Sequence, residues 1–508
     1  MKLESFVRAA CAALIALCLA PSAQGEQLVY WAAPDGTAEA ACTEEAPGTI
    51  AAALAKCVAR ATAEEGDVVR LKDGEYPFTK ALTVSTQHVV IEAQNRHQAV
   101  LVGGRETANS LFAFDVTQSA KLDGLVLTNF YINARTPVGA VRVLGGTLTV
   151  DNCRFIDNRA PDGVELPQNS GSAIAVSAGR AVISNCYFKS NACQGHWADQ
   201  SGGGGAVSFY FGQSSIVYDS VFEDNSCFGI APQGGAGIYG TYHRCVFRGN
   251  NAGKGMALWN ATAYDCVFED QVGEEASVLT SCTASNCVIR GTQGNVIVLG
   301  GTLTDCVVTN NRGTQVTGWD RAFFRNCTLK NCLVQDNFYT AGDWCKRIGW
   351  SANFRNCLVV SNGAAHANFF LEGGSLVNCT LVDNYACDGV STPLVINSCV
   401  STNTAFVGQT ITGGTHINAA YSSATESDSL VFENSIQVAD REAFKLRPAT
   451  SAGGNAYAPK SGSPLVDAGV VFEGLGETDF LGKSRLVGAS VDIGAMEYCL
   501  SGFWLMLR

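Results

Sequence analysis

The sequence predicts an all-β protein: a right-handed parallel β-helix, a single-stranded solenoid with three strands per coil and a short N-terminal capping helix. Three observations predict this fold. One short phrase recurs between Cys153 and Cys399. Inside that phrase the apolar positions alternate as they do in a strand. An Asn or Asp stands at the point where the strand must bend.

The recurring phrase has a cysteine at its centre and an asparagine at its end, as in VDNCRFIDN, ISNCYFKSN and YHRCVFRGN. Neighbouring copies lie 19 to 34 residues apart. This period is too short for a helical hairpin repeat, and the units are too rich in Gly, Val and Asn for a leucine-rich repeat. The central positions are Cys153, Cys186, Ser220, Cys245, Cys266, Cys287, Cys306, Cys332, Cys357, Cys379 and Cys399.

The columns of the repeat predict how each coil is built, counting the central cysteine as position zero. Positions 0, +2, −3 and −5 are apolar or small, as in Cys186, Phe188, Ile183 and Ala181, and are predicted to face inward. Position −1 is Asn or Asp in most copies, residues that tolerate the left-handed conformation of a sharp bend. We therefore expect a strand, a corner at position −1, a second strand, a second corner at the asparagine of position +5, a variable loop and a third strand.

Position +3 alternates in charge along successive coils. Residues of one outward column are neighbours on adjacent parallel strands, where opposite charges attract. The column predicts a solvent-exposed ladder of ion pairs and not a functional site. Its members are Lys189, Glu223, Arg248, Glu269 and Arg290.

Composition excludes several classes of partner. The 508 residues are only 16 % charged and carry a formal net charge of −12. The sequence contains no basic run, so nucleic acid and anionic membrane surfaces are not expected partners. The sequence says nothing about the oligomeric state.

The N-terminus predicts export. Lys2 and Arg8 precede an apolar run that ends before Pro21, and a small-residue cleavage site follows at Gly25. We expect residues 1–25 to be a cleaved signal peptide and the protein to be secreted or displayed on the cell surface. No other apolar run approaches the roughly 20 residues of a membrane span.

The remaining chain divides into three predicted segments. Residues 26–82 form an N-terminal cap with an amphipathic helix that begins after Thr49. Residues 83–403 form the β-helix repeats, and residues 404–508 form C-terminal coils and a cap. A cap is expected because the open end of a solenoid must be covered.

Cysteine usage predicts buried thiols more than disulfides. Without Cys11 and Cys18 of the signal, nineteen of the 21 cysteines remain, an odd number. Ten of them lie at position zero, where cysteine behaves as a small buried hydrophobe.

Two disulfides are nevertheless predicted. Cys193 and Cys227 lie outside the core column, each two residues beyond the asparagine of position +5 in adjacent coils. Cys42 and Cys57 would clasp the N-terminal cap.

No metal site is predicted. The C-x4-C pairs Cys282/Cys287 and Cys327/Cys332 are placed by the repeat two coils apart, too far to share a zinc ion. The loop of residues 161–171 contains Asp162 and Glu165, residue types that bind calcium, but a plain polar loop is favoured. No cofactor is expected.

Because the columns are structural, a functional site must lie in the variable loops, which all leave the coils at one edge. Three consecutive coils carry aromatic and charged residues there, and we expect them to form one surface that stacks on sugar rings and binds hydroxyls or carboxylates. The alternative is that the long loops bury their tryptophans for their own stability. The residues are Trp319, Asp320, Arg321, Asp343, Trp344, Lys346, Arg347, Trp350 and His366.

The same loops contain the residue types for uronate elimination. Lys346 or His366 would act as the base, and Arg321 or Arg347 would neutralise the sugar carboxylate. The sequence lacks a close Asp-Asp pair and a Gly-His-Gly motif, so these four are candidates on residue type alone.

Several phrases carry resemblances. PDGT, PGTIAAAL and GDVVRLKDGEY near the start, with SPLVDAG and VDIGAMEY near the end, resemble secreted bacterial right-handed β-helix proteins of the pectate-lyase-like superfamily with a choice-of-anchor Q region. GSAIAV with FKSN, GGAVSF with FEDN and GGAGIY with FRGN resemble chlamydial polymorphic outer-membrane proteins, which are adhesins. The resemblances imply a parallel β-helix and export, and they leave the activity open.

Together these observations predict a scaffold whose loop edge binds polysaccharide or cell-surface glycan, in an adhesin-like or carbohydrate-binding role. The first alternative is a polysaccharide lyase or glycoside hydrolase that acts on uronic-acid-containing polysaccharide. The second is a structural surface protein without a ligand.

Overall fold

The protein is a right-handed parallel β-helix, as the sequence predicts. Its structure is a computed structural model. In the part of the chain described here, almost every strand pairs in parallel with the equivalent strand of the coils before and after it. The described residues are 27–62, 66–104, 113–131, 139–159, 171–195, 203–209, 214–229, 232–313, 321–339, 346–364, 370–386, 395–448 and 456–498.

Each coil contributes a strand to three stacked faces, called sheets 1, 2 and 3. Sheet 1 precedes position zero, sheet 2 follows it, and sheet 3 follows the loop. Sheet 1 contains Val29–Thr37, Val68–Leu71, Val89–Ala93, Ala120–Asp123, Thr147–Asp151, Arg180–Ser184, Ile216–Tyr218, Thr241–His243, Thr262–Tyr264, Thr328–Lys330, Asn353–Arg355, Ser375–Val377, Val400–Thr402, Gly414–Ile417 and Leu430–Glu433.

Sheet 2 runs along the next face of the solenoid. Its strands are Gly74–Pro77, Ala99–Val102, Val126–Thr128, Arg154–Ile156, Tyr187–Lys189, Val221–Glu223, Val246–Arg248, Val267–Glu269, Val288–Arg290, Val307–Thr309, Leu333–Gln335, Leu358–Val360, Thr380–Val382, Ala405–Ile411, Ala420–Ala424 and Ile436–Gln437.

Sheet 3 completes the coil. Its strands are Leu82–Val84, Phe114–Val116, Val141–Val143, Ile174–Val176, Val207–Ser208, Gly237–Ile238, Leu258–Trp259, Arg321–Arg325, Lys346–Trp350, Leu371–Glu372 and Val395–Asn397. Two long strands, Val272–Ser285 and Gln293–Thr304, run through sheet 3 into sheet 1.

A short row of strands lies between sheet 2 and the loops, and it is called the pre-loop row. It contains Ala192–Gly195, Ser226–Gly229, Arg312–Gly313, Phe338–Tyr339, Gly363–Ala364 and Tyr385–Ala386.

The coils turn at left-handed residues, most of which are followed by a buried residue. The predicted corner at position −1 is confirmed, for example at Asn185 with φ 53°. The second corner is not the asparagine of position +5, as the sequence predicted, but the residue before it. Asp224 has φ 55°, whereas the following Asn225 is fully buried. A third corner lies at position −6, as at Ser281 with φ 53°.

The asparagines of position +5 form a buried hydrogen-bonded column. The Asn191 backbone N–H donates to Asn225 Oδ1 at 3.0 Å, and Asn225 Nδ2 donates to the Phe188 carbonyl at 3.0 Å. Each side chain therefore satisfies the backbone of the coil before it, just where the chain turns out of sheet 2. The pattern continues at Asn158, Asn250, Gln271, Asn311, Asn337, Asn362 and Asn384.

The cysteine column is buried as predicted, with one change of register. The thiols act as hydrogen-bonding groups of the core: the Cys245 backbone N–H donates to Cys266 Sγ at 3.4 Å. Cys399 was assigned to this column, but Val400 pairs with Ser375, which places Cys399 at position −5 and Thr404 at position zero. Nine of the predicted ten cysteines therefore share the column.

The positions of the cysteines within a coil also explain the C-x4-C spacing. Cys282 and Cys287 occupy positions −5 and 0 of one coil, and Cys327 and Cys332 do the same. They are not two coils apart, as the repeat suggested.

Inside sheet 2 the phenylalanines of position +2 stack on one another. Ring centroids of Phe188 and Phe222 lie 4.6 Å apart with 5° between the planes. The stack runs from Phe155 to Phe268.

Outside sheet 2 the predicted charge ladder is confirmed. Arg248 Nη2 and Arg290 Nη2 lie 2.6 and 2.7 Å from the two oxygens of Glu269.

The predicted cap helix spans Ile50–Lys56, and the Ala52 backbone N–H donates to Thr49 Oγ1 at 3.1 Å. Strand pairing crosses both predicted segment boundaries. Val29–Thr37 already pairs with the next coil, and coils continue to Ile436–Gln437. No helix among the described residues is long and apolar enough to span a membrane.

Beyond the last coil the chain folds back along the outer face of sheet 2. Its described residues, 438–448 and 456–498, are called the strap, and they include the short 3-10 helix Glu442–Phe444. The strap forms a second apolar core with Leu358, Val382 and Val407. Arg485, which is 1 % exposed, donates from Nη1 to Glu497 Oε1 at 2.9 Å and from Nη2 to Asn356 Oδ1.

The two predicted disulfides remain predictions. Cys193 and Cys227 are direct partners in register, as their equal offsets implied, but both side chains are buried, so they do not lie outside the core. Cys57 Sγ donates to the Ala53 carbonyl at 3.4 Å, and Cys42 Sγ to the Ala40 carbonyl at 3.6 Å. The structure contains no S–S bond at these four described residues.

Substitution of one buried asparagine tests the column. Asn225→Ala removes the acceptor of the Asn191 N–H and the donor to the Phe188 carbonyl. We expect a loss of about 2–4 kcal/mol in the free energy of unfolding because two buried backbone groups lose their partners. Urea unfolding measures it. The exposed Asn353→Ala is the control, and equal losses in both variants would contradict a structural role for the column.

Oxidation of Cys193 and Cys227 is tested by non-reducing peptide mapping of the exported protein. Strand neighbours in register have Cα atoms about 4.8 Å apart, within the range that a disulfide bridges. We expect one linked peptide that contains both residues. Burial raises the pKa of the Cys227 thiol to about 12, so an unbridged pair would resist native alkylation and appear as two modified peptides only after unfolding.

Candidate functional site

The variable loops of three coils leave the solenoid between the pre-loop row and sheet 3, a region called the loop corner. On the pre-loop side, Arg312 pairs in register with Phe338 of the next coil. On the sheet 3 side, Arg325 pairs with Trp350 of the same next coil. The loops between them, residues 314–320 and 340–345, lie outside the described residues.

An arginine contacts an aromatic ring on the sheet 3 side. The guanidinium carbon of Arg325 lies 4.4 Å from the centroid of Trp350, within the range of a cation–π contact. Both side chains are half-buried. Among the described residues Arg325 Nε has no hydrogen-bond partner, although it is buried. A buried donor of this kind calls for an acceptor from a ligand or from a neighbouring loop.

A second, buried arginine contacts the same ring. Arg347 is 5 % exposed, and its guanidinium carbon lies 5.5 Å from the Trp350 centroid. Its Nε lies 2.5 Å from Glu372 Oε2 of the following coil. The ion pair fixes the buried Arg347 beside Trp350, so the half-buried Arg325 is the more accessible cation of the two.

The pre-loop side repeats the arrangement. The guanidinium carbon of Arg312 lies 4.4 Å from the Phe338 centroid, and Arg312 Nη1 donates to the Asp336 carbonyl at 3.1 Å. Phe338 also contacts Tyr385, with ring centroids 5.4 Å apart. These two residues are two coils apart in the row, and Gly363 between them has no side chain to separate the rings.

Packing beneath the loop corner fixes the pre-loop row. Tyr339 is fully buried, its hydroxyl donates to the Asn295 carbonyl, and its ring stacks on Phe323 with centroids 4.3 Å apart. The ring fills the space that a side chain at Gly313 would need. Gly313 is therefore required by close packing, and the two sides of the corner are tied together through the core.

The structure places some predicted site residues and leaves others outside its description. Arg321 and Lys346 are direct partners in register at the start of two sheet 3 strands, and Arg347 and Trp350 follow on the second strand. The prediction that these residues form a single surface remains untested. Trp319, Asp320, Asp343, Trp344 and His366 lie outside the described residues.

Sequence reasoning missed five residues at the loop corner. All five lie inside strands and not in the loops on which the prediction concentrated. Only their position in the coils could have identified them. Each is an outward residue of a column that also contains an arginine or an aromatic residue of a neighbouring coil. They are Arg312, Arg325, Phe338, Glu372 and Tyr385.

Metal binding finds no support at the described residues, where no group of three His, Cys, Asp or Glu side chains could hold an ion. The loop with Asp162 and Glu165 lies outside them. Two clefts of about 340 and 360 Å³ flank the cap helix, share Ala51 and Leu82 in their walls, and contain no convergent charged groups.

A comparison with protein-family models supports the β-helix fold. A family model described as a right handed beta helix region matches residues 69–282. No curated protein matches the sequence.

Three solved structures illustrate the similarity. Pectate lyase Pel9A is 14 % identical with a TM-score of 0.26, over 93 % of this chain and 98 % of that one. A PL6 alginate lyase solved with a trisaccharide is 14 % identical with a TM-score of 0.36, over 86 % and 92 %. A PL6 family polysaccharide lyase from Pseudopedobacter saltans is 14 % identical with a TM-score of 0.26, over 81 % and 95 %. These identities are too low to indicate a shared ligand or reaction.

Removal of Glu372 tests whether its ion pair positions Arg347. We expect Glu372→Gln to lower the free energy of unfolding by about 1–3 kcal/mol, because the buried Arg347 loses its counter-charge. Urea unfolding measures the loss. Glu442→Gln is the matched control, since the Glu442 side chain is 90 % exposed beside Arg441 and should leave stability unchanged. Equal stability of the Glu372→Gln variant and the parent would contradict the positioning role.

Proposed function

We propose that the protein is an exported β-helix scaffold that binds an acidic polysaccharide at the loop corner, in an adhesin-like or carbohydrate-binding role. The observation that carries the proposal is the pair of arginine–aromatic contacts, Arg312 with Phe338 and Arg325 with Trp350, on the two sides of the same loops. A polymer that crosses the corner would meet a cation on each side.

Local charge supports an acidic ligand. The whole chain has a net charge of −12, yet residues 306–360 contain seven Lys or Arg and only three Asp or Glu. A locally positive region on an otherwise acidic protein attracts anionic ligands to that region. Carboxylates are the acidic groups expected on an extracellular polysaccharide, and guanidinium groups bind them with two parallel hydrogen bonds.

Rigidity supports binding at a preformed surface. Trp350 contacts both Arg325 and Arg347, and Arg347 is fixed by its ion pair with Glu372. Phe338 lies on a row fixed by the buried Tyr339. Side chains that are ordered before the ligand arrives lose little conformational entropy on binding. The signal-like residues 1–25 support export to the compartment where such a polymer occurs.

The lyase alternative needs different groups. Elimination requires a base and a cation in contact with the substrate carboxylate. Arg347, one predicted cation, is buried and paired with Glu372, which favours a supporting role for it over contact with a substrate. Lys346 and Arg321 remain candidates for that chemistry, so the binding experiment includes a readout for cleavage.

Binding is tested by titrating the full chain with polygalacturonate, alginate and a neutral glucan in a calorimeter. We expect the two acidic polymers to bind, with affinity that falls as salt rises, and the neutral polymer not to bind. Arg325→Ala should weaken binding about 10-fold or more, as expected for the loss of a charge-assisted hydrogen bond.

The matched control is Arg244→Ala, an exposed arginine that pairs with Asp219 on another face. Equal weakening by both substitutions, or equal binding of the neutral glucan, would contradict the proposal. A rise in ultraviolet absorbance from new unsaturated sugar ends, abolished by Lys346→Ala, would favour the lyase instead.

A further inference from the structure

The inward column at position −3 of sheet 1 changes character near the C-terminal end of the solenoid. Ser401 and His416 occupy it there, are partners in register, and are fully buried. The ten coils before them have no group at this position that ionises near neutral pH. Their residues are Val150, Ile183, Val217, Tyr242, Ala263, Ala284, Leu303, Leu329, Phe354 and Leu376.

Both nitrogens of the buried His416 ring have hydrogen-bond partners. Nδ1 lies 2.8 Å from Ser401 Oγ, and Nε2 lies 3.2 Å from the Gly413 carbonyl oxygen. A carbonyl only accepts, so Nε2 carries the proton of the neutral ring and Nδ1 accepts from the Ser401 hydroxyl. The ring also contacts Phe406 and Phe432, with centroids 5.7 and 5.4 Å away. These contacts suit a neutral imidazole.

The described elements packed around His416 supply no counter-charge for an imidazolium. Residues 399–440 contain no Lys or Arg. Burial raises the pKa of the Cys399 thiol to about 12, so this thiol is neutral, and the Tyr421 ring stacks on Phe432 with centroids 4.3 Å apart. Burial without a counter-charge lowers the pKa of His416. The carboxylates of these elements are exposed, and they are Glu426, Asp428 and Glu433.

His416 lies directly beneath the last coil of the solenoid. The sheet 1 strand of that coil, Leu430–Glu433, pairs with Gly414–Ile417, and among the described residues no strand pairs with its other edge. Its inward residue Phe432 is half-buried, whereas the equivalent His416 is fully buried. A coil with a neighbour on one side only is the part of a solenoid that opens most easily.

We propose that His416 makes the end of the solenoid acid-sensitive, so that the last coil, residues 420–437, opens when the imidazole takes up a proton while the earlier coils stay folded. Opening removes Phe432 from His416 and brings the ring into water, where its pKa returns to the ordinary value of 6.5. Because the pKa in the closed form is lower, the open form binds more protons below pH 6.5. The coil is therefore held fully above that pH and is released progressively as the pH falls below it.

Hydrogen exchange followed by mass spectrometry in the full chain tests the proposal. The measurement compares about pH 7.5 with about pH 5, after correction for the intrinsic exchange rates. We expect the opening equilibrium of residues 420–437 to rise up to about 30-fold at the lower pH, which is the ratio for a group that titrates at about 6.5 when open and stays neutral when closed. Peptides that contain Val221–Glu223, in the middle of the solenoid, should not change.

His416→Gln should abolish the rise, because glutamine can donate to the Gly413 carbonyl and does not ionise. His243→Gln is the matched control, since His243 is a half-buried outward residue of sheet 1, and this variant should keep the rise. A rise that persists in His416→Gln, a rise lost equally in both variants, no rise in the parent, or an equal rise in the middle of the solenoid would each overturn the proposal.

Retention of the parent's melting temperature at about pH 7.5 shows that His416→Gln folds. If it does not fold, His416→Asn takes its place, because asparagine can accept from the Ser401 hydroxyl and also does not ionise. The same loss of the acid response is expected from it, and its persistence would overturn the proposal in the same way.

Discussion

The buried asparagine column at position +5 is the interaction on which the rest of the structure depends. At the second corner the chain leaves sheet 2, and its backbone N–H and C=O groups would otherwise be buried without partners. The side chain of each asparagine binds both groups of the preceding coil, as Asn225 does for Asn191 and Phe188. An unpaired buried polar group costs about 1–3 kcal/mol, so each coil is held in register with the next at this corner.

That register places the loop corner. The pre-loop row begins one residue after the asparagine, so Arg312, Phe338 and Tyr385 inherit its alignment. Sheet 3 is aligned independently by its own pairing, which brings Arg325 over Trp350. Two ordered rows therefore flank loops of variable sequence. Such an arrangement permits the loops to vary while the flanking cations keep their spacing.

The sequence predicts well which residues of a strand face inward or outward. It predicts poorly which of two similar adjacent positions forms a corner. Alternation identifies the inward Phe188 and the outward Glu223 because the strand period is two. Position +4 and position +5 are both polar, however, and asparagine tolerates a left-handed corner as well as it fills a buried ladder. Cys399 was misplaced for a similar reason. Two of the three corners share one pattern, a polar left-handed residue followed by a small buried one, as at Ser398 and Asn403.

The repeat could not predict contacts between segments that are far apart in the sequence. The strap contacts coils about 100 residues earlier in the chain, as Asn378 with Leu475 shows, and has no period of its own. At the loop corner, Arg347 and Trp350 were predicted, whereas Arg325 and Glu372 become part of the site only through contacts between coils. Single outward residues of strands carry no signal until the register of neighbouring strands is known.

The most direct measurement of the central claim is a structure of the full chain with an acidic oligosaccharide bound. Carboxylates of the sugar should lie within hydrogen-bond distance of Arg312 or Arg325, at the loop corner. An oligosaccharide bound instead along the outward-facing stack of Tyr218, His243 and Tyr264 on sheet 1, with the loop corner empty, would contradict the account.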